Sequence, residues 1–395
     1  MGTFVYAMKK ESIHKRGETL MLLTNGFQPD PRVHKEAVTL IEIGFGVTII
    51  CLDRDGTLPP REVVDGIDVR RIRVGDVKPG EVLSVGTSLA RFYAKAAWEI
   101  GTLHKQKSFK LIHCNDFDTV GLGLALKFRY RIPVVYDMHD QYSSFLTNPV
   151  AREAVQRVDA VFCRAVDAII VVNEEFLSVP FIDERKSTIV MNVPTIEGSG
   201  RSDVTDVGIF YAGNLDRSRD MHYAMDTLAK SGFPVQFAGD GPLLNEARTM
   251  ATSEKITFLG RIPVSEVHRR TLDCLAVLAL YDPAYPNNRF ASPNKLFDAM
   301  KYGKPAIVSN GTVMAGIVEK FDCGLVVEYG STASLKDALN ALCDEELYER
   351  LSINAYEAFS SKFNWEIMEP RLFSLYRKLT DQSSDWVGGT ERTDT

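Results

Sequence analysis

The sequence predicts an α/β protein of two domains, each a parallel sheet with helices on both faces. Three observations lead there. Strand-like apolar runs alternate with helical patterns from Leu20 onward. The alternation falls into two series, each opening with a strand that runs into a glycine turn, Thr24-Asn25-Gly26 and Tyr211-Ala212-Gly213. A chain of 395 residues, 45% hydrophobic and 25% charged, is also long enough to bury two cores.

The first series places strands at 20–24, 47–52, 67–74, 111–114, 133–136, 168–172 and 188–191. The second places them at 207–211, 235–238, 256–259, 276–280, 305–308 and 324–327. Between the series, residues 195–206 are rich in Gly, Ser and Asp and lack apolar periodicity, so they read as an inter-domain linker. The expected domains are therefore 1–197 and 205–362. Helices follow at 345–362 and about 365–380, and the polar stretch 381–395 is expected to be a disordered tail.

Composition removes several classes of function. The six cysteines are scattered, with no C-x-x-C pair and no histidine cluster at ligand spacing, so they read as small buried hydrophobes and no metal site is expected. Residues 1–200 balance 25 Lys+Arg against 25 Asp+Glu, which leaves the net charge of −6 on the remainder and argues against nucleic acid as a partner. Apolar runs such as 166–172 are too short to span a bilayer, and no signal-like segment opens the chain, so a cytoplasmic protein is expected.

The most informative segment runs Ser292-Pro293-Asn294-Lys295-Leu296-Phe297-Asp298-Ala299-Met300 and continues to Gly303-Lys304-Pro305. Ser292 before Pro293 predicts an N-cap followed by a first-turn proline. The N–H groups of Asn294, Lys295 and Leu296 would then face an anion, with the Lys295 ammonium adding a full charge. Asp298, three residues on, could accept from ribose hydroxyls; equally, Lys295 and Asp298 could form an ordinary surface ion pair. A second segment, Gly213 to Asp220, puts Arg217 and Arg219 in a strand-to-helix turn, and arginine suits phosphate. Gly239-Asp240-Gly241-Pro242 is a third turn of this kind, though such turns are common without a ligand.

In order, these segments resemble the donor-binding domain of the family 4 glycosyltransferases, retaining enzymes of the two-Rossmann-domain GT-B fold, across about residues 205–330. Phe258-Leu259-Gly260-Arg261 belongs to the same series, which brings in Arg261. In the first domain, Asp30-Pro31-Arg32-Val33-His34-Lys35-Glu36-Ala37 resembles the opening helix, and His113-Cys114-Asn115-Asp116 a strand end at the cleft between the domains. Val135-Tyr136-Asp137-Met138-His139-Asp140 resembles the strand whose histidine contacts the transferred sugar. Phe363-Asn364-Trp365-Glu366 resembles the start of the terminal helix that returns to the first domain.

The resemblance implies a UDP-sugar or GDP-sugar donor, with no cofactor required, and a glycan or lipid-linked acceptor. It implies that Arg219 and Lys295 stabilise the departing diphosphate, with Arg217 as a further contact, and that Asp298 holds the ribose. His139 would contact the sugar. Asp116 would receive an acceptor hydroxyl, unless it only caps the following helix. The sequence departs from the family in three places: Phe290 stands where the motif has its first glutamate, Asn214 replaces an arginine, and the first glycine-rich turn is reduced to Gly26. Because leaving-group charge can be met by fixed cations and helix N–H groups, Asp53-Arg54-Asp55 reads as a loop after the second strand and not as a metal motif.

Between residues 85 and 110, Leu89, Phe92, Tyr93, Ala96, Ile100 and Leu103 recur at helical spacing, with Arg91, Lys95, Trp98, Lys105, Lys107 and Lys110 on the remaining surface. That face reads either as an ordinary solvated one or as a peripheral membrane contact. Two other functions fit the same architecture: a nucleotide-sugar epimerase, and a catalytically degenerate binding protein.

Overall fold

A computed structural model describes residues 16–28, 30–75, 82–203, 205–219, 221–251 and 253–382. It divides into two compact units: the described residues up to Val190 together with those from Glu369, and Met191–Met368.

The first unit holds an eight-stranded sheet. Its strands are β1 (Gly17–Leu23), β2 (Phe45–Asp53), β3 (Arg61–Val64), β4 (Ile67–Arg73), β5 (Phe109–Asn115), β6 (Val134–Met138), β7 (Ala168–Val171) and β8 (Ser187–Ile189). The helices between them are α1 (Pro31–Glu42), α2 (Val82–Lys107), α3 (Phe117–Tyr130) and α4 (Pro149–Ala165). The order is β3-β4-β2-β1-β5-β6-β7-β8, parallel throughout except at the β3–β4 edge. Central strands bury both faces: Leu20, Met21, Leu22, Ile49 and Ile50 are wholly buried, as a parallel sheet covered on both sides requires.

The strand expected at 67–74 is β4, but its hairpin partner β3 was not among the expected strands. The hairpin turns on Asp65 and Gly66, at φ of 49° and 85°, the backbone that a two-residue Asp-Gly hairpin needs.

The second unit holds β9 (Gly208–Ala212), β10 (Val235–Ala238), β11 (Ile256–Gly260), β12 (Cys274–Ala279), β13 (Ala306–Ser309) and β14 (Gly324–Val327), ordered β11-β10-β9-β12-β13-β14. Its helices are α5 (His222–Lys230), α6 (Leu244–Met250), α7 (Val264–Leu272), α8 (Pro286–Phe290), α9 (Asn294–Lys301), α10 (Val313–Phe321), α11 (Thr332–Ala341) and α12 (Glu345–Ser361). A last helix, α13 (Trp365–Gln382), starts in this unit and ends in the first.

Two expectations about connections are corrected. Residues 195–206 are not a free linker: Gly200 N–H donates to Lys301 O, Arg201 bonds Ser352 and Glu349, and Lys304 Nζ reaches Ser202 O, so side-chain and backbone hydrogen bonds hold the segment where apolar burial does not. The chain passes between units at Val190 and Met368 instead. The tail does not begin at 381 either, because α13 continues through Gln382; residues 383–395 lie outside the described ones.

Each sheet reverses its strand order once, between β1 and β5 in the first unit and between β9 and β12 in the second. Adjacent crossovers leave opposite faces there, so the carboxyl ends of those strands open a crevice, the usual ligand site of open α/β sheets.

Candidate active site

In the second unit Gly213, Arg219, Tyr281 and Lys295 come together past the carboxyl ends of β9 and β12. Helix α9 aims Lys295 there because its other face is core: Leu296, Phe297, Ala299 and Met300 are buried. The helix stops where Gly303, at φ 62°, lets Lys304 N–H turn back to Ala299 O at 2.9 Å. Its start differs from expectation. Pro293, not Ser292, occupies the cap position, with an extended ψ of 143°, and the helix begins at Asn294 without a side-chain cap. Proline offers no side-chain acceptor, and Leu296 N–H folds back to Pro293 O at 3.1 Å, so Asn294 and Lys295 supply the open N–H groups and Leu296 does not.

Lys295 Nζ is sealed from solvent and has no hydrogen-bond partner among the described residues. It stands 3.8 Å from the ring centroid of Tyr211 and 5.3 Å from that of Tyr281. The guanidinium of Arg219 lies 4.8 Å from the same Tyr281 ring, and its NH1 donates to Asp216 at 3.1 Å. Burial, reinforced by Arg219, drives the Lys295 ammonium well below the usual lysine range, against a weaker pull from Asp216. Asp216 therefore pairs with Arg219, while Lys295 is left beside that pair without a carboxylate of its own among the described residues. The Lys295–Asp298 ion pair does not form; His268 Nε2 lies 3.9 Å from Asp298 Oδ1.

Gly213 has a different task from the one its sequence suggested. A Cβ there would come 2.9 Å from Lys295 Nζ, and φ is 153°, so the glycine admits the lysine itself. Gly239 lies against the Gly213 backbone and donates to Gly260 O, while Gly241 N–H bonds Asp240 Oδ1; both close the turns. Gly26 accepts from Arg71 Nε at 2.7 Å and packs on Leu58. Arg217 is exposed, and Arg261, also exposed, lies 3.5 Å from Asp240. Neither is brought to Lys295. Asn288, buried in α8, donates to Ser218 O at 2.7 Å and Asp282 O at 2.9 Å and so ties α8 to the Arg219 turn.

The first unit's crevice holds a buried charge network. Arg32 grips Asp137 with Nε at 3.0 Å and NH2 at 2.6 Å and reaches Glu36 at 3.2 Å. His139 lies between two carboxylates, with Nε2 2.7 Å from Asp137 and Nδ1 3.3 Å from Asp116. Burial alone would lower the imidazole, but Asp116 and Asp137 overcome it and hold His139 well above the usual histidine value, as an imidazolium. Burial likewise opposes ionisation of Asp137, yet Arg32 and His139 keep it well below the carboxylate range. Asp116 makes no side-chain cap to α3; its carboxylate turns to His139 from a backbone at φ 64°, a conformation costly for a non-glycine residue. Glu36, His113 and Asp137 bring ligand-type atoms within 4.8 Å of one another, but the Arg32 guanidinium already supplies the cation between the two acids.

Residues 29–178 match the model of the Glycosyl transferase 4-like domain, and residues 193–358 that of Glycosyl transferases group 1. The chain belongs to the glycosyl transferases group 1 family. It is a glycosyltransferase of the GT-B type, with two Rossmann-like domains. The glycosyltransferase is similar in fold to sucrose-phosphate synthase from Thermosynechococcus elongatus (TM-score 0.76, 17% identity, covering 92% of this chain and 100% of that one). It is also similar to HepE of Anabaena in complex with UDP and glucose (0.67, 16%, 93% and 100%). The catalytic domain of starch synthase IV from Arabidopsis thaliana, bound to ADP and acarbose, is a further match (0.66, 14%, 92% and 99%). No curated protein matches the glycosyltransferase in sequence.

Sequence reasoning missed the ring partners of the glycosyltransferase's cations, Tyr211 and Tyr281, and the roles of Asp137, His113 and Glu36. It also missed Asp118, half-buried and bonded by Thr24 Oγ1 at 2.6 Å beside Asp116. The expected basic face of α2 is smaller than its sequence suggested: Lys107 bonds Asp68 and Thr48, and Lys95 bonds Arg73 O, which leaves Arg91 and Lys105 exposed at helical spacing from Trp98, while Lys110 lies on β5.

Proposed function

We propose that this glycosyltransferase takes its sugar from a nucleoside-diphosphate sugar, with UDP or GDP as the leaving group, and passes it with retention to a hydroxyl of a glycan or lipid-linked acceptor. One observation supports this above the rest: Lys295 Nζ, buried and without a hydrogen-bond partner among the described residues, lies beside Arg219, whose bonded carboxylate is Asp216. Such a pair calls for an anion of more than one charge. A diphosphate supplies it, and the open N–H groups of Asn294 and Lys295 add to the cradle. The UDP and ADP found with HepE and starch synthase IV are in keeping with that choice.

Leaving-group stabilisation needs cations that do not reorganise as the glycosidic bond breaks. Lys295 and Arg219, fixed over Tyr281, serve in that way. Asp298 would hold the ribose. In the first unit, His139 as an imidazolium would donate to the transferred sugar. Its bond to Asp116 is the longer of its two, and Asp116 is the more exposed of its partners, so that contact is the one a substrate hydroxyl can replace. With both ring nitrogens protonated His139 is no base, and a phosphate oxygen of the leaving group takes the acceptor's proton. An incubation of the enzyme with UDP-sugars or GDP-sugars and a candidate acceptor tests this: release of nucleoside diphosphate and an anomeric proton of unchanged configuration support the reading, and turnover confined to epimerised donor contradicts it.

For a lipid-linked acceptor, Trp98 (73% exposed) and Phe128 (90% exposed), with Arg91 and Lys105 near Trp98 on α2, favour a peripheral membrane contact. No described helix is long and apolar enough to cross a membrane. Sedimentation with anionic vesicles, lost in Trp98→Ala, is the expected result.

A further inference from the structure

Tyr376, on α13, is wholly buried, and its ring packs edge-on to Phe45 at 5.9 Å. The face of α13 it shares is otherwise apolar, with Met368, Leu372, Leu375 and Leu379 buried. A phenylalanine would satisfy that packing. The hydroxyl has another purpose: it bonds His113 Nδ1. On the far side of the imidazole, Nε2 lies 3.5 Å from Asp137 Oδ2 and 3.5 Å from Glu36 Oε2. Asp137 Oδ2 is the oxygen that meets His139 Nε2 at 2.7 Å. Contacts therefore run from α13 through His113 to Asp137 and on to His139, with the 3.5 Å step at His113 Nε2 an electrostatic contact and not a hydrogen bond.

The path fixes where protons sit. The phenol can donate to Nδ1 or accept from Nδ1–H; because Nε2 faces two acids, the neutral tautomer that suits both nitrogens carries its proton on Nε2 and accepts the phenol O–H at Nδ1. Without the phenol, His113 is free to protonate Nδ1 instead. Its Nε2 lone pair would then confront Asp137 and Glu36, and Asp137 Oδ2, with the carboxylate still gripped by Arg32, would be pushed off its contact with His139.

We propose that Tyr376 is a positioning residue for sugar transfer, which sets the His113 tautomer and through Asp137 holds His139 as an oriented imidazolium. The inference rests on His139 serving the transferred sugar. The charged and titratable groups facing this path are Arg32 and Glu36 from α1, His113 and Asp116 from β5 and its end, and Asp137 and His139 from β6.

Tyr376→Phe in the full chain removes one oxygen and keeps the ring. The expected result is a kcat lowered by about 10- to 100-fold with donor KM unchanged, and an alkaline limb of the kcat profile moved to lower pH as His139 loses the fixed Asp137. Nitrogen NMR of the ¹⁵N-histidine protein should place the proton of His113 on Nε2 in the wild type and shift it in the variant. Wild-type kcat and an unmoved alkaline limb in Tyr376→Phe would overturn the proposal, as would kcat loss that only follows the folded fraction. Should the variant fold poorly, an Nδ1–H tautomer for His113 in the wild type would overturn it by itself. The spectrum needs no turnover, so a wild type inactive on every nucleotide sugar counts against the donor reading, and the tautomer against this one.

Discussion

The Nζ of Lys295 rests 2.9 Å from the place where a side chain at residue 213 would begin. The lysine of α9 and the glycine after β9 therefore form one device: the absent side chain makes the room into which the cation reaches. Gly213→Ala should displace Lys295 and strain a backbone at φ 153°. We expect donor affinity to fall by at least about tenfold, with a stability loss of about 1–3 kcal/mol. Calorimetric titration with UDP or GDP, read beside a melting curve, checks both.

Proton traffic follows from the same cation. Burial and Arg219 push Lys295 toward the neutral amine in the free protein, and a bound diphosphate favours the ammonium. Binding then takes up a proton, so affinity should weaken as pH rises through the free enzyme's Lys295 pKa. Titrations in buffers of different ionisation enthalpy measure the uptake; proton release on binding would contradict this account.

Asp116 holds His139 at 3.3 Å and raises its pKa together with Asp137. Asp116→Asn lowers that pKa, and the imidazolium is lost as pH rises. The alkaline limb of the kcat profile should move to lower pH, while the acid side stays where it was.

Asp159, buried on α4 beside Tyr136, is pushed up to about 6 by burial. Its folded value lies above its unfolded one, so its contribution to stability is complete below about pH 4 and is lost as pH rises through 6. Asp159→Asn should therefore stabilise the enzyme at pH 7.5, by up to about 3 kcal/mol, and give no advantage at pH 4. Melting temperatures of the two proteins across that range decide it.

Much of this was legible in the sequence because parallel strands buried on both faces are short apolar runs between helices, and the block from Ser292 to Pro305 has a definite order. The β3–β4 hairpin was legible too, since Val63-Val64-Asp65-Gly66-Ile67 has a turn signal between apolar residues, but its edge position gives alternating burial and not an apolar run. The cap of α9 was misplaced because Ser292 has the right residue type and Pro293 took its position. Tyr211 and Tyr281 could not be matched to Lys295 from spacing, because strands far apart in the chain become neighbours only through crossovers. The bond between Tyr376 and His113 spans 263 residues, and no local pattern encodes it.

Whether Lys295 and Arg219 hold a diphosphate is read from calorimetric titration of UDP and GDP into the wild type and Lys295→Met. We expect one nucleotide to bind the wild type, and the variant to bind it at least about a hundredfold more weakly while melting no lower, since methionine fills the space without a buried charge. Equal affinity of the two proteins for that nucleotide, or a wild type that binds neither, would contradict the account.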